Sequence, residues 1–233
     1  MTHLFPIIIL CGGLGTRVQS HGAPKSLIRF NQKPFISHQM KLLDKKGFDD
    51  LILCTGYQSD EIMKHSVSAW ININIDEIKF SNEETPLGTG GAIKNIAYLP
   101  ENFFVIYGDT YANINYRQMQ RKFLKSNKMC MMGVYKNNNQ LDKSNVKIID
   151  KDTLLYKKNN APDDYIFIDY GVSIFNRKSF IGFVDDAFPL SYIQEKLSRK
   201  NEISPYIIKD RFYEIGSPEG IEDFKKFVKK EKL

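Results

Sequence analysis

The chain has 233 residues, 42% of them hydrophobic and 12% aromatic, enough to fill a sizeable core. With 33 Lys and Arg against 27 Asp and Glu the formal charge is +6, and no apolar run approaches the roughly 18 residues of a membrane-spanning helix. Membrane-spanning helices are thereby excluded and no membrane partner is expected. The opening residues, with Leu4-Phe5-Pro6, lack the basic stretch and small-residue cleavage site of an export signal, so the expected location is cytoplasmic. Cys11, Cys54 and Cys130 suit neither a disulfide framework nor a zinc cage, and are expected to be reduced and mostly buried.

Apolar runs and amphipathic stretches alternate in the first half. Ile7 to Leu10 predicts a buried strand, Ile36, Met40 and Leu43 predict a helix closed by Gly47, and Leu51 to Cys54 predicts a second strand. A helix is expected to start at Ser59-Asp60-Glu61, and Phe103 to Tyr107 predicts a later strand. This is the pattern of a mainly parallel sheet with crossover helices. Beyond residue 128, strand-like pieces run from Met129 to Tyr135, Val146 to Ile149, Tyr165 to Phe175 and Ile203 to Ile208, with a helix over Pro189 to Ser198. The polar stretches 136–143 and 157–164 read as loops.

The last stretch sets Lys225, Lys226, Lys229, Lys230 and Lys232 against a stripe of Ile221, Phe224, Phe227 and Val228, which predicts a docked helix with a solvated basic face. That accounts for the densest positive charge, and no nucleic-acid partner is expected. With no repeat or linker in sight, one domain over 1–233 is expected, with residues 1–128 binding nucleotide and residues 129–233 binding the second substrate.

Three motifs carry chemistry. Leu10-Cys11-Gly12-Gly13-Leu14-Gly15-Thr16-Arg17 follows the first strand, with Lys25 after Pro24. Glycines at the carboxyl end of a parallel strand let backbone N–H groups approach phosphate oxygens, while Arg17 and Lys25 supply a planar fork and a point charge. Neither the dinucleotide fingerprint nor the P-loop spacing fits. The second motif, Glu83 to Ala92, leads into a helix with Ile93, Ile96 and Ala97, and Gly88 and Thr89 there are candidates to present amides to a ligand. The third, Tyr107-Gly108-Asp109-Thr110, puts a carboxylate at a strand end, suited to magnesium held against phosphates or to a turn cap.

Taken together, these motifs resemble the sugar-1-phosphate nucleotidyltransferase family, and the later Tyr156-Lys157-Lys158, Asp169-Tyr170-Gly171 and Tyr213 to Glu219 segments extend the resemblance over nearly the whole chain. Within the family, the Gly-Gly-Leu-Gly-Thr-Arg and Pro-Leu-Gly-Thr-Gly-Gly-Ala forms look most like those of bacterial heptose-1-phosphate and mannose-1-phosphate guanylyltransferases. The resemblance implies a single-domain α/β, Rossmann-like (GT-A-like) fold with a mixed, mainly parallel central sheet flanked by helices. It implies Mg²⁺-dependent transfer of a nucleotidyl group from a nucleoside triphosphate to a sugar 1-phosphate, with pyrophosphate released, for surface polysaccharide synthesis; a homo-oligomer is compatible with it.

By the same resemblance Arg17 and Lys25 act at the reacting centre, and Leu10, Cys11, Gly12, Gly13, Gly15, Thr16, Glu83, Gly88 and Thr89 line the nucleotide, Glu83 near the base edge. Gly108, Lys158, Asp169 and Gly171 serve the sugar phosphate. Asp109 and Glu214 serve the metal, Glu214 standing where many members have Asp. Its extra methylene leaves direct and water-mediated contact both open. A carboxylate near the base favours GTP, because guanine offers it two adjacent donors. The alternatives are a cytidylyl- or uridylyltransferase using another sugar phosphate or a small phosphorylated alcohol, and a nucleotide-sugar binding protein without turnover. A glycosyltransferase would want an Asp-x-Asp metal motif, which Gly108-Asp109-Thr110 is not.

Overall fold

The computed structural model describes residues 3–13, 24–71 and 73–233. In chain order it contains β1 (Ile7–Leu10), β2 (Arg29–Phe30), β3 (Lys33–Pro34), α1 (Phe35–Lys46), β4 (Asp50–Thr55), α2 (Ser59–Trp70) and β5 (Glu77–Asn82). There follow α3 (Gly88–Lys94), β6 (Asn102–Tyr107), β7 (Thr110–Tyr111), α4 (Tyr116–Ser126), β8 (Cys130–Lys136), β9 (Val146–Asp150) and β10 (Thr153–Tyr156). The chain ends with β11 (Phe167–Asn176), α5 (Leu190–Arg199), β12 (Ile203–Ile208), β13 (Tyr213–Glu214) and α6 (Pro218–Glu231). This is the α/β class expected from the sequence, with helices flanking a mixed sheet.

The chain forms two compact units that interleave: residues 1–86, 106–113 and 212–233 make the first, and residues 87–105 and 114–211 the second. The C-terminal helix belongs with the N-terminal half because its apolar stripe has its partners there.

In the first unit β4 pairs in parallel with β1, from Ile7↔Leu51 to Leu10↔Cys54, and with β5, from Asp50↔Glu77 to Thr55↔Asn82. Ile7, Ile8, Ile9, Leu51 and Leu53 are fully buried, the burial expected of uninterrupted apolar runs in a parallel sheet. α1 ends on Gly47 in the left-handed conformation (φ 85°), and the Gly47 amide donates to Asp44 O at 2.8 Å. α6 buries Phe224 and Val228 among Phe30, Phe35, Leu42, Tyr111 and Ile215, while Lys225, Lys226, Lys229, Lys230 and Lys232 stay exposed, as its pattern predicts.

In the second unit β8 lies between an antiparallel β11 and a parallel β12, and β9 pairs antiparallel with β10. β5, β10 and α4 go beyond the expected elements: β5 is a strand of mixed polarity, β10 is only four residues long, and α4 is a strongly polar helix started by Asn115, whose Oδ1 accepts from Gln118 N at 3.0 Å. The three cysteines are free and buried. Among the described residues no helix is long and apolar enough to cross a membrane.

Candidate functional site

Leu14 to Ala23 lie outside the described residues, so the expectations for Gly15, Thr16 and Arg17 fall there. The end of the glycine loop that is described, at the carboxyl end of β1, has Cys11 buried, Gly12 half-buried and Gly13 exposed. A Cβ on Gly13 would meet nothing within 4 Å, whereas one on Gly12 would come 2.9 Å from Glu83 Oε1 and 3.3 Å from Gly56 N. Gly56, just past β4, has the Glu83 side chain equally close, 2.9 Å from both Cγ and Oε1. The Glu83 carboxylate is thus seated across the carboxyl ends of two parallel strands, where open α/β sheets receive ligands. Burial pushes the Cys11 thiol up, and the neighbouring Cys54 and Asp109 push it further, so it stays protonated and is no nucleophile.

The carboxylates meet through a pairing that links distant parts of the sequence. β13 lies antiparallel to β7, with Glu214 opposite Thr110 and Tyr213 opposite Tyr111, and Ile215 N donates to Asp109 O at 2.9 Å. Lys25, on a short 3-10 turn over Lys25–Leu27, donates from Nζ to Asp109 Oδ2 at 3.1 Å. Glu214 is gripped by its own loop: Gly216 N donates to Oε2, and Ser217 Oγ donates to Oε1 at 2.9 Å while accepting from Gly220 N at the start of α6.

Gly216 is the floor of this group. A Cβ there would lie 2.5 Å from Glu214 Oε2, 3.3 Å from Asp109 Oδ2 and 3.3 Å from Lys25 Nζ, so two carboxylate oxygens and an ammonium converge over one glycine. That donor set fits Mg²⁺, which takes one or two carboxylates and completes its shell with water and phosphate oxygens. No group of three or more His, Cys, Asp or Glu that could hold a metal ion occurs among the described residues. Gly108, expected to serve the sugar phosphate, has a structural demand in this unit: its amide donates to Leu10 O at 2.9 Å.

The loop at α3 differs from expectation. The helix begins at Gly88 and ends at Lys94, short of Ile96 and Ala97. The amides of Gly90 and Gly91 both donate to Phe188 O, at 2.9 and 3.1 Å, and Thr89 Oγ1 accepts from Leu190 N at 2.8 Å. A Cβ on Gly90 would collide with the Phe188 ring, and one on Gly91 with Asp186 O. The glycine run and the Thr89 hydroxyl thus bind the segment that starts α5, where Pro189 has no side-chain cap to offer. Thr89→Val, close in shape but without the acceptor, is expected to cost about 1 kcal/mol. A urea melt followed by circular dichroism checks it, through a lower midpoint at unchanged slope.

Also in the second unit, Asp169 Oδ1 accepts from Gly171 N at 2.9 Å across a bulge that Gly171 makes with φ 81°, and Asp169 N donates to Asn145 Oδ1 at 2.9 Å. Burial raises the Asp169 carboxyl above its usual range against the opposing pull of the Gly171 amide, the Lys158 charge and Gln194. Lys158 is exposed, and its amide donates to Glu195 Oε1 at 3.0 Å. Asp169 and Gly171 are thus bonded to each other, and the Lys158 charge acts on the Asp169 carboxyl. Asn145, Gln194 and Glu195, which the motifs do not include, are the partners of this group. Gln194 did leave a signal, as a polar residue on the buried face of α5 with Leu190, Ile193 and Leu197.

Residues 7–147, more than half of the chain, match the family model for nucleotidyl transferases. The chain belongs to the nucleotidyl transferase family. It is 29% identical over 222 residues to the D-glycero-alpha-D-manno-heptose 1-phosphate guanylyltransferase of Campylobacter jejuni, covering 93% of this chain and 97% of that protein. It is also 39% identical over 116 residues to the enzyme of the same name from Aneurinibacillus thermoaerophilus, covering 48% of this chain and 49% of that one. Among solved structures, HddC from Yersinia pseudotuberculosis complexed with GMP-PN superposes with a TM-score of 0.78 at 26% identity, covering 97% of this chain and all of that one. The inositol-1-phosphate CTP transferase of T. maritima, at 17% identity and a TM-score of 0.74, shares the fold. The family expected from the sequence motifs is thus the family found.

Proposed function

We propose that this sugar-1-phosphate nucleotidyltransferase is a Mg²⁺-dependent guanylyltransferase that converts GTP and a heptose- or mannose-type sugar 1-phosphate into a GDP-sugar and pyrophosphate. The observation that carries the chemistry is the convergence of Lys25, Asp109 and Glu214 over Gly216. The base and sugar are supported by the full-length similarity to a heptose 1-phosphate guanylyltransferase and by the GMP-PN complex of HddC. The product is an activated sugar for surface polysaccharide, made in the cytoplasm.

A phosphate oxygen of the sugar 1-phosphate attacks the α-phosphorus of GTP in line. One P–O bond forms, the bond to the β-phosphate oxygen breaks, and pyrophosphate carries away the electron pair. Two anions must be brought together, so the protein's work is to orient them and to offset their charge. Lys25 supplies a cation beside Asp109, and Arg17 is assigned to the triphosphate. Asp109 would hold Mg²⁺ directly, with Glu214 beside it either directly or through water. When bound, the ion neutralises charge developing on the phosphate oxygens. Lys158, Asp169 and Gly171 are assigned to the sugar phosphate. No covalent enzyme intermediate is required, in keeping with a protonated, buried Cys11.

GTP, ATP, CTP and UTP compared with heptose 1-phosphate and mannose 1-phosphate, following pyrophosphate, test the assignment. GTP is expected to give the highest kcat/KM, and Glu83→Gln to cut its advantage about tenfold, because the new amide donor faces the guanine N–H groups. A higher kcat/KM with CTP or UTP would overturn the base assignment and leave the reaction class standing.

A further inference from the structure

Gln39 lies on the inward face of α1 with Phe35, Ile36, Met40 and Leu43, and it is fully buried. An apolar residue would pack there without the cost of burying an amide. Its Nε2 donates to Tyr107 O at 2.9 Å and to Thr110 O at 2.8 Å. These two carbonyls bracket Gly108 and Asp109, where the chain leaves β6 and enters β7. Two acceptors on one side fix the amide's orientation, since a reversed amide would set its oxygen against both carbonyls. Gln39 Oε1 is buried without a hydrogen-bond partner among the described residues, a penalty that the two donated bonds must offset.

Two backbone bonds also hold this turn, from Gly108 N to Leu10 O and from Ile215 N to Asp109 O, both 2.9 Å. Gln39 adds a side-chain hold from a helix, and it grips both shoulders of the residue whose carboxylate faces Lys25.

We infer that Gln39 is the positioning residue of the Asp109 turn: by clamping the carbonyls of Tyr107 and Thr110 it sets the direction of the Asp109 carboxylate, and with it the affinity for the metal that accompanies the nucleotide. The inference rests on Asp109 being a metal ligand. A polar group that orients a metal ligand typically governs metal affinity by roughly ten- to a hundredfold.

The experiment measures GTP affinity by calorimetry without sugar phosphate, once in EDTA and once in Mg²⁺, for wild type, Gln39→Met and Asp109→Asn. Met is close to Gln in volume and donates nothing. For Gln39→Met the metal-free affinity is expected to stay at the wild-type value while the gain on adding Mg²⁺ falls about ten- to a hundredfold. Asp109→Asn is expected to lose most of the same gain. If Asp109→Asn keeps it, Asp109 is no ligand and the inference falls with that reading. If Asp109→Asn loses it and Gln39→Met keeps it, the positioning role is wrong and Asp109 stands. Equal weakening of metal-free and Mg²⁺-supported binding in Gln39→Met marks a merely structural residue and also overturns the role. Should Gln39→Met not fold, Gln39→Asn, a shorter amide, is expected to show a smaller loss of the Mg²⁺ gain, and an undiminished gain refutes the inference.

Discussion

Asp109→Ala is expected to lower kcat about 10³-fold, equivalent to ~4 kcal/mol of transition-state stabilisation, while the protein stays folded. The two halves of that expectation have separate structural causes. The turn around Asp109 is held by backbone atoms, through Ile215 N on Asp109 O, Gly108 N on Leu10 O and the Gln39 amide on Tyr107 O and Thr110 O, and none of these bonds needs the carboxylate. What the carboxylate touches is Lys25 Nζ, in a partly exposed pair at 3.1 Å whose loss should cost no more than about 1 kcal/mol. Removing it strips one of the two carboxylates proposed to hold Mg²⁺ and leaves Glu214, already tied to Gly216 N and Ser217 Oγ, as the other. Pyrophosphate release at saturating substrates, with a thermal melt on the same sample, measures both. Turnover near the wild-type value in a folded variant would remove Asp109 from the site.

Gly108→Ala should damage stability and turnover together. Its Cβ would come 2.6 Å from Leu10 O and 3.1 Å from Cys11 Cα, both backbone atoms of the first strand and the loop that follows it, so no side chain can rotate away. The turn must lift off β1, stretching the Gly108 to Leu10 bond. Forcing a methyl group into such a contact typically costs about 1 to 3 kcal/mol, a fall in Tm on the order of 5 °C for a domain of this size. The shift carries Asp109 with it, and a displacement of roughly 1 Å at a reacting centre can cost about a hundredfold in rate. Gly13→Ala is the control, because a Cβ there meets nothing within 4 Å and its stability should be unchanged. A Gly108→Ala protein as stable as Gly13→Ala and as active as wild type would show that the strand end yields freely and that the position of Asp109 is not critical.

The sequence by itself determined the class, the family and most of the regular elements. Ile7 to Leu10 and Leu51 to Cys54 are strands because continuous apolar runs of that length suit a sheet covered on both faces, and α1 stops at Gly47 because the left-handed turn there favours glycine. Lys25 stood out as a cation following the glycine motif, Asp109 as a carboxylate at a strand end, and α6 as a docked basic helix, since these properties are written in neighbouring residues. What only the tertiary structure decided depends on residues far apart in the chain. The pairing of β7 with β13 puts Glu214 beside Asp109, and the interleaving of the units joins α6 to the first half; short polar strands carry no local signal of which partner they will meet. The Gly88 to Gly91 run has a composition that suits a ligand cradle, yet Phe188 O takes the amides of Gly90 and Gly91, because a nearby carbonyl satisfies a backbone donor as well as an anion would. Gln39 and Gln194 stood in the sequence as polar residues on apolar helix faces, and the groups they bond became visible only once the fold had brought Tyr107, Thr110 and Asp169 against them.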